Sequence, residues 1–232
     1  MNVELGAAQI VDLSEESVTS LNRRLHEADG GRWRVTEPGG RHAIAVGLDA
    51  ELTVEIEGHV GYYCAGMNQR ATVRVAGNCG VGVAENMMSG EVVIGGDASQ
   101  AAGATAHGGL LVVEGNAAAR CGISMKGADI VVRGSVGHMS AFMAQSGRLV
   151  VCGDAGEALG DSIYEARVYV RGDVASLGAD CIEKELGDEH RRELGELLER
   201  AGADDLDPGE FRRYGSARKL YNFDVDDAGG AA

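Results

Sequence analysis

A 19-residue repeat constrains the fold of this chain more than any other feature of its sequence. Seven short β-branched segments each end in glycine, and each glycine follows the previous one by 19 residues without insertion or deletion. These glycines are Gly58, Gly77, Gly96, Gly115, Gly134, Gly153 and Gly172. Because a single segment has nothing against which to bury its apolar side, the copies must stack on one another. The repeat therefore predicts a solenoid of seven coils, roughly 30–35 Å long at the spacing of sheet strands.

The columns of the repeat predict what each coil contains. The residues two and four positions before the glycine are all Val, Ile or Leu, and alternate residues of a strand share one face, so each coil has a strand with an apolar wall. A polar, turn-forming residue follows each glycine. The columns seven and thirteen positions after the glycine contain only Gly or Ala within the repeat, which predicts tight corners where successive coils stack.

Other repeat architectures do not fit this pattern. The Leu and Asn ladder of leucine-rich repeats and the GGxGxD motif of calcium-binding nonapeptides are absent from the sequence, and 19 is not a multiple of six, as a left-handed hexapeptide helix requires. A dinucleotide-binding reading of Gly80–Gly82 is not favoured, because no helical pattern follows. The predicted fold is mainly β, a single-stranded right-handed parallel β-helix of seven coils with flanking helices.

A solenoid exposes unpaired backbone groups at its two ends. We therefore expect the segments before and after the repeat to cover these ends. We divide the chain into an N-terminal cap (1–50), the β-helix (51–179), and a C-terminal helix with a docking tail (180–232).

Within the N-terminal cap, residues 14–28 have helical apolar spacing with Ser14 as the cap, and 33–48 predict one or two strands or an irregular first coil. Residues 180–201 predict the second helix, which Gly202 would end.

The segment from Phe211 to Phe223 has an unusual charge pattern. It contains three arginines and a lysine but no acid, interleaved with aromatic residues, in a chain of formal net charge −15. It either folds back on the acidic surface of its own chain or docks a partner, since Arg and aromatic residues are enriched at interface cores. The residues predicted to dock are Phe211, Arg212, Arg213, Tyr214, Arg218 and Tyr221.

Composition excludes several functional classes. The net charge of −15 argues against nucleic-acid partners, whose phosphates need basic residues. No apolar run reaches the roughly 18 residues of a membrane span and no signal-peptide pattern opens the chain, so we expect a cytoplasmic protein without membrane partners. The five cysteines are odd in number and lack a CxxC pair, which predicts reduced core thiols rather than disulfides or a zinc site.

No constellation of residues predicts an active site. Cys64 and Cys121 share a column three coils apart, about 14 Å, too far for one metal ion. His107 and His138 have no Cys or acid at ligand-like spacing. The acids Glu157, Asp161 and Glu165 are better explained as solvent-exposed residues at a corner of a coil than as a carboxylate pair for acid–base catalysis. Gap filling inside the coils is favoured over partner binding for Met87, Met88, Met125, Met139 and Met143. We predict no catalytic, cofactor-binding or metal-binding residue.

Long strings of this sequence resemble a known family. They include HVGYYCAGMN (59–68), GVGVAENMMSG (80–90), GDASQAAGATAHGG (96–109), GNAAARCGISMKG (115–127) and FRRYGSARKLY (211–221). These strings resemble the C-terminal GXGXG domain family of the glutamate synthase alpha subunit. Within it, they are most similar to the glutamate-synthase-like β-helix subunits of methylamine–glutamate N-methyltransferase (N-methylglutamate synthase). The resemblance covers nearly the whole chain.

The resemblance implies a function without catalytic residues on this chain. It implies a scaffold subunit that links an amidotransferase-like subunit to a flavin-binding synthase subunit carrying FMN and an iron–sulfur cluster, in a complex that makes N-methylglutamate from methylamine and glutamate. Two alternatives stay open. One is the β-helix subunit of formylmethanofuran dehydrogenase, and the other is an autonomous small-molecule enzyme with a groove near Glu157–Glu165 or His107.

Overall fold

The computed structural model describes residues 7–218 and confirms a mainly β, parallel solenoid with two α-helices. Among these residues eleven strands form one sheet in the order β1-β2-β3-β4-β5-β6-β7-β8-β9-β11-β10. The strands are β1 Gln9–Asp12, β2 Gly30–Thr36, β3 Glu51–Ile56, β4 Thr72–Val75, β5 Glu91–Ile94, β6 Leu110–Val113, β7 Lys126–Val132, β8 Ser146–Val151, β9 Arg167–Val170, β10 Cys181–Lys184 and β11 Arg212–Ser216. The helices are α1 Val18–Glu27 and α2 Asp188–Arg200. The right-handed winding stays a prediction, favoured by the handedness rule for parallel crossovers.

The strands β3 to β9 stack in register at the spacing of the repeat, except for one irregularity at the start of β7. Val54 pairs with Val73 and Val73 with Val92, so each column of the sequence lies above itself in the next coil. A slip of one residue would turn every apolar side chain to the wrong face, which explains why the repeat length is constant. β2 also joins β3 in parallel, with Val35 opposite Ile56. Residues 33–48 therefore contain one strand and continue as an irregular first coil.

The last residue of each repeat segment must be glycine because successive coils approach closely at this position. A Cβ at Gly96 would lie 2.1 Å from Asn78 Oδ1, and a Cβ at Gly77 would lie 2.6 Å from the carbonyl carbon of Gly58. The Asn78 oxygen occupies this position because it accepts the backbone N–H of Asp97 at 2.9 Å. The same bond joins each consecutive pair of the column His59, Asn78, Asp97, Asn116, Ser135, Asp154 and Asp173, at 2.7 to 2.9 Å. The residue after the glycine is thus an acceptor that links coils, as well as a turn former.

A second run of inter-coil bonds stabilises an unusual backbone. In each of the first six coils the residues five, seven and nine positions after the glycine have left-handed backbone angles, as in Tyr63 (φ 59°), Ala65 (φ 53°) and Met67 (φ 55°). The N–H groups of Tyr63 and Met67 donate to the following coil at 2.8 and 2.7 Å, and that of Ala65 donates to the preceding coil at 3.0 Å. A left-handed residue costs about 1–2 kcal/mol, and these bonds offset the cost. The middle column holds only Gly or Ala because it faces the buried interior rather than a stacked corner.

Two apolar cores lie on opposite sides of the sheet. The interior core contains the strand column four residues before each glycine, from Val54 to Val168, all fully buried. The outer core forms where α2 places Leu194, Leu197 and Leu198 against the other face of β6 to β9. The sequence contains an indication of this second core, because the outward column changes from charged to apolar along the chain. It reads Glu55, Arg74, Val93, Val112, Val131, Val150 and Tyr169.

The helix α1 covers the N-terminal end but begins later than predicted. Its cap is Ser17, whose hydroxyl accepts the N–H of Ser20 at 3.2 Å. The prediction that Ser14 is the cap is wrong. Ser14 instead donates its hydroxyl to Asp12 Oδ1 at 2.6 Å, which closes the turn after β1.

Asn22 of α1 makes the hydrogen bonds that a preceding coil would make with the irregular first coil. Its Nδ2 donates to Ala43 O at 2.7 Å, and its Oδ1 accepts the N–H of Ala45 at 2.9 Å. The side-chain amide therefore satisfies the backbone groups that a preceding coil would satisfy elsewhere in the solenoid.

We expect Asn22→Ala to lower the free energy of unfolding by about 1–3 kcal/mol, because it leaves the N–H of buried Ala45 and the C=O of half-buried Ala43 without partners, while it gains some helix propensity. Urea unfolding followed by circular dichroism measures the change. Arg23→Ala, at an exposed position of the same helix, is the control. Equal unfolding midpoints for the two variants would contradict the capping role of Asn22.

The C-terminal flank is not one helix from 180 to 201, and that prediction is wrong. Cys181–Lys184 forms β10, and α2 begins only after Gly187. The reason is tertiary, since β10 pairs antiparallel with β11 and Cys181 packs in the interior core. The end of the helix follows the prediction, because Gly202 (φ 68°) lies directly after the capping Ala201.

Candidate interaction surface

The exposed apolar side chains concentrate on one strip of the solenoid. We call the αL face the exposed residues at positions four, five, nine and eleven after each of the first six repeat glycines, which lie in and beside the left-handed segments. Of the nine large apolar residues exposed in the described chain, six lie on this face. They are Tyr62, Tyr63, Met67, Met88, Met143 and Tyr164, each 39% to 50% exposed. Exposed apolar groups gathered in one place, rather than scattered, are typical of an interaction surface.

The irregular coil that precedes the repeat contains His42 and holds part of this surface in place. The ring of His42 stacks on the ring of Tyr62, with centroids 4.5 Å apart and planes inclined by 14°. His42 Nδ1 also accepts the backbone N–H of Tyr62 at 2.9 Å. A side chain fixed before binding loses less conformational entropy on binding, so Tyr62 is suited to be a contact residue.

The methionines divide between the interior and the αL face. Met87 and Met125 are fully buried and fill gaps inside the coils, as predicted. The same prediction is wrong for Met88 and Met143, which are 47% and 39% exposed. Met139 is half-buried. Met87 and Met88 are adjacent in the sequence, yet they point to opposite sides of the coil wall.

All five cysteines are free and buried, which confirms the prediction of core thiols. Burial raises the pKa of Cys64 and of Cys121 to about 12, and the pKa of Cys152 and of Cys181 to about 11. Burial also raises the pKa of Cys79. The thiolate is the reactive form, so none of these groups is a nucleophile at neutral pH.

We expect a thiol reagent such as iodoacetamide to leave all five cysteines unmodified in the folded protein at pH 8, and to modify all five in 6 M guanidinium at the same pH (roughly the concentration that unfolds most domains). The physical reason is that burial both raises the pKa of each thiol and blocks access. Intact-mass spectrometry counts the adducts. Modification of any cysteine in the folded chain, at a rate close to that of the unfolded chain, would contradict the buried assignment.

The other candidate groups do not assemble into a site in the described chain. No group of three or more His, Cys, Asp and Glu residues that could hold a metal ion occurs among residues 7–218. His107 and His138 are exposed on different coils. Asp161 accepts the hydroxyl of Ser162 at 2.8 Å and the N–H of Ala179 at 3.2 Å, so it stabilises the last turn of the solenoid. Glu157 and Glu165 are exposed.

The basic tail segment is largely part of the fold, and this corrects one expectation. Phe211 is 3% exposed in the outer core, and Tyr214 is 2% exposed at the C-terminal end of the interior core. β11 lies between β9 and β10, with Tyr214 opposite Val168. Phe211 and Tyr214 are therefore not free to contact a partner.

The arginines of the segment bind groups of the same chain. Arg212 lies 3.7 Å from Asp173, Arg213 Nε donates to Glu185 O at 2.7 Å, and Arg218 lies 2.5 Å from Asp180. This arrangement agrees with the alternative in which the segment folds back on its own acidic surface. Tyr221 lies outside the described residues, and docking by the exposed arginines stays a prediction.

Comparison with known proteins places the chain in a family. No family model matches it. It is 62% identical over 223 residues to Protein GlxC of Rhizobium meliloti (strain 1021), a match that covers 94% of this chain and 98% of GlxC. The chain belongs to the GlxC family. Because the match extends over nearly the full length of both proteins, the family shares the whole solenoid together with its end covers. None of the helices in residues 7–218 is long and apolar enough to cross a membrane.

Proposed function

We propose that this chain is the β-solenoid scaffold subunit of a glutamate synthase-type complex, and more specifically of an N-methylglutamate synthase. The observation that carries the proposal is the αL face, a row of exposed Tyr and Met side chains on a framework joined by inter-coil hydrogen bonds. The motif resemblance points to the same complex, and the relationship to GlxC is consistent with it. The reaction would combine methylamine with glutamate to give N-methylglutamate and ammonia.

The αL face has two apolar groups, which suits it to join two partners. Tyr62, Tyr63 and Met67 lie on the first repeat coil and Met88 on the second, whereas Met143 and Tyr164 lie on the fifth and sixth. The second and fifth coils are three strand spacings apart, about 14 Å. Tyr and Met are enriched at the cores of protein interfaces. We propose that one group contacts the amidotransferase-like subunit and the other the flavin-binding subunit.

The chemistry of such a complex would lie on its partners. FMN and an iron–sulfur cluster would be held by the flavin-binding subunit, which would also carry out the synthase reaction. The buried thiols of this chain support a division of labour in which the nucleophile for amide hydrolysis belongs to the amidotransferase-like subunit. The contribution of this chain would be to hold the two active subunits at a constant distance.

Co-purification tests the proposal. The tagged chain is expressed with the amidotransferase-like and flavin-binding chains, and we expect both to co-elute, with flavin absorbance in the peak. The double substitutions Tyr63→Ser with Met67→Ser, and Met143→Ser with Tyr164→Ser, should each weaken the binding of a different partner by tenfold or more, about 1.4 kcal/mol. Ile182→Ser on β10, exposed to 42% but outside the αL face, is the matched control.

Three outcomes would overturn the proposal. The first is that neither chain co-elutes, and the second is that the control substitution weakens binding as much as the αL-face substitutions do. The third is turnover of methylamine and glutamate by this chain alone, which would make it an autonomous enzyme. Co-elution with a pterin-dependent molybdenum or tungsten subunit would instead favour the formylmethanofuran dehydrogenase alternative.

A further inference from the structure

A polar cavity lies where α2 meets the outer side of the solenoid. Its volume is about 330 Å³, and it is lined by Ser146, Gly147, Arg148, Glu165, Arg167 and Glu193. The first three belong to β8, Arg167 to β9, Glu193 to α2, and Glu165 to the loop before β9. The volume is in the range of small-molecule sites. Its walls come from three separate elements, so the folded chain, rather than one flexible loop, sets its shape.

Two guanidinium groups of the cavity are held in place and still have free donors. Arg148 donates Nε and Nη2 to the two oxygens of buried Asp129, each at 2.7 Å. Its Nη1 has no hydrogen-bond partner among the described residues. Arg167 donates Nη1 to Glu193 Oε2, and its other N–H groups have no partner among residues 7–218. Both side chains are therefore oriented by one carboxylate and able to bind another.

Two carboxylates face the same cavity. Glu193 accepts with Oε2 only, and within the described chain its Oε1 has no partner. The carboxylate of Glu165 makes no ion pair or hydrogen bond with any described residue, although it lines the cavity together with the two arginines. The cavity thus presents free donors with positive charge and free acceptors with negative charge a short distance apart.

The outer core beside this cavity has an additional unsatisfied group. Tyr169 is fully buried, and its hydroxyl has no hydrogen-bond partner within the described chain. Its Cα lies opposite that of Arg213 in the sheet, and Arg213 has no carboxylate within ion-pair distance among residues 7–218. Burial raises the pKa of Tyr169, and burial lowers the pKa of Arg213. Arg213 therefore places a positive charge, without a paired carboxylate among the described residues, on the strand next to that of Tyr169.

We propose that this cavity binds a small zwitterion of the α-amino acid class. The carboxylate of the ligand would accept from Arg148 and Arg167, and its ammonium group would donate to Glu165 and Glu193. A lone anion would be repelled by the two carboxylates, and a lone amine by the two guanidinium groups. Only a molecule with both charges pairs every free group of the cavity. This binding would not require a partner subunit.

Isothermal titration of the purified full chain tests the proposal. The probes are L-alanine, L-glutamate and L-lysine, and propionate and propylamine are the single-charge controls. We expect saturable binding of at least one amino acid, with both controls about tenfold weaker or more, since each lacks one charge-assisted contact.

Two substitutions locate the site. Glu165→Gln and Arg167→Gln should each weaken amino acid binding about tenfold or more. The matched controls Glu183→Gln on β10 and Arg171→Gln, after β9, make the same chemical changes outside the cavity and should leave binding unchanged. Circular dichroism spectra of the four variants serve to check that each one folds.

The proposal is wrong if none of the three amino acids binds, or if propionate binds as tightly as they do, which would indicate a simple anion site. It is also wrong if the control substitutions weaken binding as much as those in the cavity. Because the titration uses the isolated chain, its result is separate from the co-purification result.

Discussion

Gly103→Leu is expected to lower the free energy of unfolding by about 3–5 kcal/mol, from overpacking and backbone strain together. A Cβ at Gly103 would lie 2.5 Å from Ile130 Cδ1 and 3.2 Å from Leu111 Cδ2, in the interior core. The backbone at Gly103 has a φ of 65°, which adds the cost of a left-handed residue with a side chain. Thermal unfolding measures the effect, and the midpoint should fall by roughly 10 °C for a chain of this size.

Gly202→Leu is the matched control for this experiment. Gly202 has nearly the same backbone angle, φ 68°, but a Cβ there meets no atom within 4 Å. Gly202→Leu should therefore lower the free energy of unfolding only by the cost of the left-handed backbone, about 1–2 kcal/mol. Gly122→Leu should fall between the two, because its first contacts lie at 3.4 Å.

Equal unfolding temperatures for Gly103→Leu and Gly202→Leu would contradict the packing of the interior. If Gly103→Leu does not fold, Gly103→Ala supplies the comparison. It adds only the Cβ, and it should still be less stable than Gly202→Ala.

Asp129→Ala is expected to lower the free energy of unfolding by about 2–4 kcal/mol, since it breaks a buried ion pair from one side. Asp129 is only 9% exposed and pairs with Arg148 at 2.7 Å and with Arg200 of α2 at 3.3 Å. Its removal leaves the half-buried Arg148 without a counter-charge and releases one attachment of α2. Urea unfolding measures the loss, and hydrogen exchange should increase along α2 before it increases in the strands of the solenoid.

Asp188→Ala is the control for the loss of a carboxylate. Its side chain is fully exposed and, among residues 7–218, pairs only with Arg191 on the same helix, so no measurable change in stability is expected. Replacing Asp129 and Arg148 together by Leu and Met should recover most of the stability, because no charge is then left buried. A loss from Asp129→Ala no greater than that from Asp188→Ala would contradict the role of this pair.

Much of the candidate surface was not predictable from the repeat. Tyr62, Tyr63 and Met67 are in the sequence of the first coil, but no periodicity indicates which side of the coil they face. That depends on the left-handed residues, and eight of the alternating positions are occupied by residues other than Gly, Ala or Asn, such as Tyr63 and Met143. The backbone adopts these angles only because hydrogen bonds from both neighbouring coils support them.

The flanks show the same limit. The apolar spacing of residues 180–201 is helical, yet Cys181–Lys184 forms a strand because β11 offers it unpaired backbone groups. Phe211 and Tyr214 have the composition of interface residues, yet they fill the two cores of their own chain. In each case the deciding contact comes from a residue distant in the sequence.

The sequence by itself determined the solenoid, its seven coils and its buried thiols, because each coil repeats the same local pattern and identical patterns stack only in register. Tertiary structure alone decided what covers the outer face, what closes the ends, and which side chains remain exposed on the αL face. The physical reason is that a repeat sets contacts between neighbouring coils, whereas α2, β11 and Asn22 meet surfaces that exist only after the coils have stacked.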